Sequence, residues 1–132
     1  MYLVDTNVWL ELLLEQEKAA EVDRFFQNVE ARLLAITEFS LYSLGIILTR
    51  LKMDHVFEDF LSDTIEDSGV ILIRLDSADL KQILAVRRQF QLDFDDAYQY
   101  VAAAKFVYEL ISFDTDFDST ERGRKTPAQV EV

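Results

Sequence analysis

Three aspartates at the ends of apolar segments are the residues of this sequence best suited to chemistry. Asp5 follows the short apolar run Tyr2–Val4, Asp114 follows a second run that begins at Leu110, and Asp96 opens a segment rich in apolar residues. Carboxylate oxygens are the ligands that Mg²⁺ and Mn²⁺ prefer. Such an ion lowers the pKa of a bound water and neutralises charge on a phosphodiester. The acids together therefore favour metal-assisted phosphodiester chemistry.

Each of these acids also has a purely structural explanation. An aspartate at a strand end commonly caps the following helix or faces water. However, Asp93, Asp95 and Asp96 fall within four positions, which is more than one cap requires, and Asp116 follows Asp114 after a single residue. The combination, rather than any single acid, indicates a site.

The hydrophobic pattern predicts strands that alternate with helices along the whole chain. The predicted strands are residues 2–4, 33–36, 70–75 and 110–113, with a possible edge strand at 129–132. The predicted helices cover residues 7–17, 18–30, 38–52, 54–65, 77–90 and 94–107. This order indicates an α/β fold in three layers, α/β/α, with a mainly parallel sheet covered on both faces. The carboxyl ends of parallel strands share one edge of a sheet, so Asp5 and Asp114 are expected to meet there.

Composition narrows the class of protein further. The 132 residues, half of them apolar, suit one domain spanning residues 1–132 with a buried core. The absence of cysteine excludes disulfides and thiolate metal sites. No apolar run approaches membrane-spanning length, and an acid at position 5 does not suit a secretory signal, so a cytoplasmic protein with no membrane partner is expected. The formal charge of −12 argues against loose electrostatic attraction to nucleic acid.

The ordered set of acidic motifs resembles the PIN-domain family, and its VapC-type toxin ribonucleases in particular. The opening Leu3-Val4-Asp5-Thr6-Asn7, the helix start Asp96-Ala97 and the late Ser112-Phe113-Asp114-Thr115-Asp116-Phe117 match the family's motifs in order and spacing. The resemblance covers nearly the whole chain. It implies metal-binding roles for Asp5, Asp96 and Asp114, with Asp116 as a supporting acid and Asn7 and Ser112 as polar supports.

One acid of the family's pattern is missing from this sequence. PIN domains usually carry a glutamate on the helix after the second strand, and its register falls near Leu41 to Ser43, where no residue is acidic. Glu38, about one turn earlier, could reach the same ion as a fourth catalytic acid, or it could only favour the helix dipole.

The resemblance implies a divalent-metal-dependent endoribonuclease that uses Mg²⁺ or Mn²⁺, has an RNA substrate, is neutralised by a small antitoxin and forms a homodimer. The apolar stretch Leu41 to Leu48 is the surface expected to form the dimer interface if the sheet does not cover it. A catalytically degenerate PIN-like module that binds RNA or a protein is the alternative, favoured by the missing glutamate and the charge. A phosphatase with Asp5 as nucleophile is a third reading, which lacks a basic or hydroxylic partner at short spacing.

Three other features have competing explanations. The basic cluster Arg122, Arg124 and Lys125 could steer phosphates or could be a solvated loop. Trp9 could stack on a base, although packing is the expected role, and the single His55 is expected to lie on the surface.

Overall fold

In the computed structural model, which describes residues 1–130, four parallel strands form the central sheet. The strands are β1 (Tyr2–Val4), β2 (Leu34–Thr37), β3 (Ile71–Ile73) and β4 (Glu109–Ile111), in the spatial order β3-β2-β1-β4. The helices are α1 (Thr6–Leu13), α2 (Ala19–Asn28), α3 (Glu38–Arg50), α4 (Asp54–Phe60, continued as a π-helix over Leu61–Glu66), α5 (Ser77–Phe90) and α6 (Phe94–Phe106). Short 3₁₀ turns cover Ala31–Leu33, Thr115–Ser119 and Pro127–Gln129. The predicted α/β fold with a parallel sheet is confirmed.

The alternation of side chains along the strands divides the core into two halves. Leu3 packs on one face of the sheet with residues of α5 and α6, whereas the next residue, Val4, packs on the other face with residues of α1 to α4. Leu110 and Ile111 of β4 divide in the same way. Successive side chains of a strand point to opposite faces, so even a strand of three residues contributes to both halves of the core. The result is the three-layer α/β/α arrangement.

Helix starts are determined by side-chain caps close to the sheet. Thr37 accepts a hydrogen bond from the backbone N–H of Ser40 and so begins α3 directly at the end of β2. Asp76 and Asp79 form a reciprocal capping box that begins α5. Asp5 accepts from the N–H of Thr6 at the start of α1. Three of the four strands thus lead into helices within a few residues, which brings helix starts to the carboxyl edge of the sheet.

The possible edge strand at 129–132 is wrong for the residues that can be checked. Gln129 lies in the 3₁₀ turn Pro127–Gln129, whose start Thr126 closes a capping box with Gln129, and Glu131 and Val132 lie outside the described residues. The sheet is instead extended by a single parallel bridge between Ile111 and Lys125. Within residues 1–130, no helix is both long enough and apolar enough to cross a membrane.

Candidate metal centre

The carboxyl ends of β1 and β4 meet the start of α6 and bring the predicted acids together. Oxygens of Asp96, Asp114 and Asp116 all lie within 4.8 Å of one another. A second group with the same spacing consists of Asp93, Asp95 and Asp96, at the start of α6. Asp96 belongs to both groups and is largely buried, with 9% of its surface exposed.

An open pocket of about 330 Å³ lies over these acids. Its carboxylates are Asp5, Asp95, Asp96 and Asp114, and the remainder of its wall combines hydroxyl, amide and apolar side chains: Thr6, Asn7, Leu10, Phe39, Ser43 and Ile47. Four carboxylates without a cationic side chain in the wall form an all-oxygen donor set. This donor set fits Mg²⁺ or Mn²⁺ and suits softer metals poorly.

Asp5 lies in the floor of the site and is held by four hydrogen bonds. Its Oδ1 accepts from the N–H of Thr6 at 2.8 Å and from Nε2 of Gln99 at 3.0 Å. Its Oδ2 accepts from Oγ of Ser112 at 2.8 Å and from Nδ2 of Asn7 at 3.3 Å. Both oxygens of this buried carboxylate are therefore oriented by groups from α1, α6 and the end of β4.

Asn7 and Ser112 join the ends of the neighbouring strands β1 and β4. The Asn7 amide donates to Oγ of Ser112 at 3.2 Å and accepts from the N–H of Phe113 at 3.2 Å. Oγ of Ser112 also accepts from the N–H of Asp114 at 3.0 Å, and Oδ1 of Asp114 accepts from the N–H of Asp116 at 2.8 Å. These bonds fix the turn that carries Asp114 toward Asp96.

The acids are close enough to change each other's protonation. Burial, followed by the hydrogen bond and negative charge of Asp114 and by the charges of Asp95 and Asp5, raises the pKa of Asp96 to about 8. Burial also raises the pKa of Asp5, while its hydrogen bonds oppose that rise. Repulsion of this kind is expected of carboxylates that share a site without a cation between them.

Glu38 does not reach this pocket. Its carboxylate accepts a hydrogen bond from the hydroxyl of Tyr42 at 2.9 Å and lies 3.7 Å from the guanidinium of Arg74, toward the end of β3. Of the three positions expected for the missing glutamate, Leu41 is buried in the core, Tyr42 is exposed, and only Ser43 lines the pocket. Ser43 is thus the position on α3 from which a carboxylate could enter the site.

The basic cluster near the chain end is engaged in local structure. Arg122 donates to the carbonyl oxygens of Ala103 and Tyr108, Arg124 forms two bonds with Asp118 and one with the carbonyl of Ser112, and Lys125 pairs with Glu109. The two bonds of Arg122 are 3.4 and 2.9 Å long, each of the three bonds of Arg124 is 3.1 Å long, and the Lys125 and Glu109 charges are 3.2 Å apart. The arginines stabilise the turn behind the site and are not aimed into the pocket.

Trp9 is a packing residue, as expected. Its ring is 3% exposed, stacks on Phe26 at 4.6 Å between centroids and meets Phe60 edge-on at 5.3 Å. His55 lies on the surface at the start of α4. Neither ring is available to a ligand in the acidic pocket.

The sequence pattern does not single out two polar residues of the site. Gln99 and Ser40 are buried at 1% and 0% exposure and form part of the network behind Asp5. Asp95, from the acidic cluster at the start of α6, lines the pocket. A signal for Gln99 was present, because it lies in a helical stretch, residues 97–104, without any charge. A glutamine inside so apolar a helix is expected to be buried and hydrogen-bonded.

The model of the PIN domain family matches residues 2–123. Comparison with curated protein sequences gave no significant match.

Three solved structures share the fold of this chain. VapC20 of Mycobacterium tuberculosis, described as a sarcin-ricin loop cleaving toxin, is 15% identical with a TM-score of 0.79, and the match covers 92% of this chain and 96% of that one. FitAcB of Neisseria gonorrhoeae is 21% identical with a TM-score of 0.78 over 98% and 100% of the two chains. A toxin-antitoxin complex from Klebsiella pneumoniae is 18% identical with a TM-score of 0.77 over 98% and 100%. At these identities the likeness establishes the fold alone.

Proposed function

The chain belongs to the PIN-domain family, and on that premise we propose that it is a divalent-metal-dependent endoribonuclease and the toxin of a toxin-antitoxin pair. The observation that carries the proposal is the grouping of oxygens from Asp96, Asp114 and Asp116 within 4.8 Å, beside the pocket that Asp5 lines. The fold of the VapC20 toxin and of the Klebsiella toxin-antitoxin complex supports the choice of RNA and of an antitoxin as partners.

The residues that would hold the ion are Asp96, Asp114 and Asp116, with Asp5 as the buried acid next to them. A bound Mg²⁺ or Mn²⁺ supplies charge neutralisation for the phosphodiester and a water of lowered pKa. Asn7 and Ser112 keep Asp5 and the Asp114 turn in fixed positions. This chemistry requires no side-chain nucleophile.

The strong negative charge makes RNA binding depend on the ion. A chain of formal charge −12 with four carboxylates in its pocket repels a phosphate backbone. A bound divalent cation becomes the largest local charge and reverses the field at the site. We therefore expect RNA to bind weakly without metal, and the metal to be a condition for substrate binding as well as for chemistry.

The degenerate, non-catalytic module is the second candidate, and one observation favours it. The pocket side of α3 presents Ser43 where a PIN domain usually presents a glutamate, so this chain has one carboxylate fewer. The phosphatase reading has less support, because both oxygens of Asp5 are engaged by protein donors and the carboxylate is not free to attack phosphorus.

The proposed function is tested by cleavage of a mixed RNA pool by purified, antitoxin-free protein. We expect cutting with Mn²⁺ or Mg²⁺ and no cutting with a chelator, because the acidic pocket cannot accept a phosphodiester without a cation. RNA fragments are resolved by denaturing gel electrophoresis, with Ca²⁺ as a control for non-specific effects of divalent charge. A folded protein that binds Mn²⁺ but cuts no RNA would support the degenerate module.

We also propose that α3 forms a homodimer interface. Leu41, Leu44 and Leu48 are covered by the core, whereas Tyr42 and Ile46 lie on the outer face of the helix and are 60% and 51% exposed. Exposed apolar side chains that lie together on a surface helix are a candidate interaction site. The interface proposed from the sequence is thereby narrowed to the outer face of α3.

Ile46→Glu is expected to convert a dimer to a monomer, because the charge would be buried without a partner at the interface. Light scattering coupled to size-exclusion chromatography measures the mass of each species. Leu84→Glu on α5 is the matched control, since Leu84 is also apolar and 45% exposed. A wild-type chain that is monomeric at all concentrations, or an Ile46→Glu chain that remains dimeric, contradicts the proposed interface.

A further inference from the structure

Gln99 lies in the middle of α6, 1% exposed, with every polar atom of its amide engaged. Its Oε1 accepts from the hydroxyl of Thr37 at 3.0 Å. Its Nε2 donates to Oδ1 of Asp5 at 3.0 Å and to Oγ of Ser40. A buried amide is costly unless it is hydrogen-bonded, and a fully satisfied buried network holds its members rigidly.

The hydrogen bonds that Gln99 makes in this network have a defined direction. Oγ1 of Thr37 accepts from the N–H of Ser40 at 2.9 Å, so its single proton is available for Oε1 of Gln99. This assignment turns Nε2 of Gln99 toward Asp5 and Ser40. The Ser40 hydroxyl accepts from Gln99 and shares a second hydrogen bond with Oγ1 of Thr6, 2.7 Å away, in which either hydroxyl can donate.

The network ends at the pocket. Thr6 lines it next to Asp5, and its hydroxyl is hydrogen-bonded to that of Ser40. Gln99 thus supports two groups of the pocket at once: the Asp5 carboxylate directly and the Thr6 hydroxyl through Ser40.

We propose that Gln99 is a positioning residue of the site, which holds Asp5 for the metal centre and, through Ser40, holds the Thr6 hydroxyl in place at the pocket wall. The inference rests on the proposed nuclease function. Helix α3 then contributes to the site through the hydroxyl of Ser40 instead of a carboxylate. Groups behind a metal centre commonly change metal affinity by about 10- to 100-fold when they are removed.

Gln99→Leu tests this role, because leucine has a similar size and removes both of the amide's donated bonds. We expect the Mn²⁺ concentration that gives half of the maximal rise in Tm to increase by about tenfold or more, within the range of such supporting groups. The same shift is expected in the Mn²⁺ dependence of RNA cleavage, together with a lower maximal rate. The control is Ile83→Val or Ile83→Ala, whichever lowers the metal-free Tm by the same amount as Gln99→Leu does. Ile83 is fully buried on α5, away from the site.

Ser40→Ala provides a second, milder variant if Gln99→Leu fails to fold. It removes the link between Gln99 and Thr6 and is expected to shift the Mn²⁺ midpoint in the same direction. Where both variants fold, their effects on the midpoint should be non-additive in the double variant, because they act through one network.

The outcomes distinguish failure of the proposed function from failure of the positioning role of Gln99. A wild-type Tm that does not respond to Mn²⁺ would overturn the metal centre and the role of Gln99 together. A wild-type response with an unchanged midpoint in Gln99→Leu, or in Ser40→Ala where only that variant folds, would overturn the positioning role and leave the proposed function standing.

Discussion

Asp96→Asn is expected to abolish metal-dependent RNA cleavage and, in the absence of metal, to melt at a higher temperature than the wild type. Asp96 is the acid that the two groups share. Supporting groups alone are worth about 10- to 100-fold in metal sites, so loss of the proposed ligand should reduce cleavage by more than about 100-fold. Cleavage is measured with Mn²⁺ at saturating concentration and compared with the wild type.

The rise in melting temperature follows from the protonation of Asp96. Its pKa is about 8 in the folded protein and has the ordinary value of 3.8 in the unfolded chain. The folded state therefore holds this proton more tightly, and the stability that the protonated group contributes is lost as pH rises from about 4 to about 8. Asparagine does not titrate, so the Tm of the variant should exceed that of the wild type by a few degrees at pH 8 and by little at pH 4.5.

Thermal melting of metal-free protein across this pH range checks the prediction. Asp63→Asn is the matched control, because Asp63 is an exposed acid of the π-helical segment and the change in net charge is the same. Added Mn²⁺ should raise the Tm of the wild type, since it binds only the folded state, and should have little effect on Asp96→Asn. Equal gains in Tm from both asparagine variants would show that the site acids do not repel each other.

The meeting of Asp5 and Asp114 at one edge of the sheet could be predicted from the sequence because it depends on chain topology alone. Asp5 and Asp114 each follow a short apolar run that could only be a buried strand, and parallel strands bring their carboxyl ends to one edge. The spatial order of the strands does not follow from the hydrophobic pattern. It depends on which helices cover which face, and this is determined by packing between residues far apart in the chain.

The expected role of Glu38 illustrates a limit of sequence spacing. Glu38 and Ser43 are five residues apart, which corresponds to about 140° around a helix, so only one of them can face the pocket. The rotation of α3 is determined by burial of Leu41, Leu44 and Leu48 against the core, and this rotation directs Glu38 toward Tyr42 and Arg74. The role of Gln99 was not predicted for a related reason. Its partners Thr37 and Ser40 lie about sixty residues earlier in the chain, and sequence spacing does not show that they meet.

Ser43→Glu is expected to lower the Mn²⁺ concentration required for half-maximal cleavage by about tenfold, because ligand charge is a main determinant of affinity for hard cations. Ser43 is partly exposed and lines the pocket with Asp5, Asp96 and Asp114, so a carboxylate there can join the same site. The added acid should also lower the metal-free Tm, since it increases the repulsion that already raises the pKa of Asp96. Higher metal affinity combined with lower metal-free stability is the signature of a ligand, because a merely structural change would not produce both.

Two variants control for shape and position in this experiment. Ser43→Gln adds the same volume without charge. It should leave the Mn²⁺ concentration for half-maximal cleavage unchanged or raise it. Glu38→Gln removes the acid that the sequence analysis considered as a replacement for the missing helix glutamate. It should not alter the Mn²⁺ midpoint, because the Glu38 carboxylate is bonded to Tyr42 outside the pocket. If Glu38→Gln weakens Mn²⁺ binding while Ser43→Glu has no effect, then α3 must rotate when metal binds, and Glu38 would be the fourth acid after all.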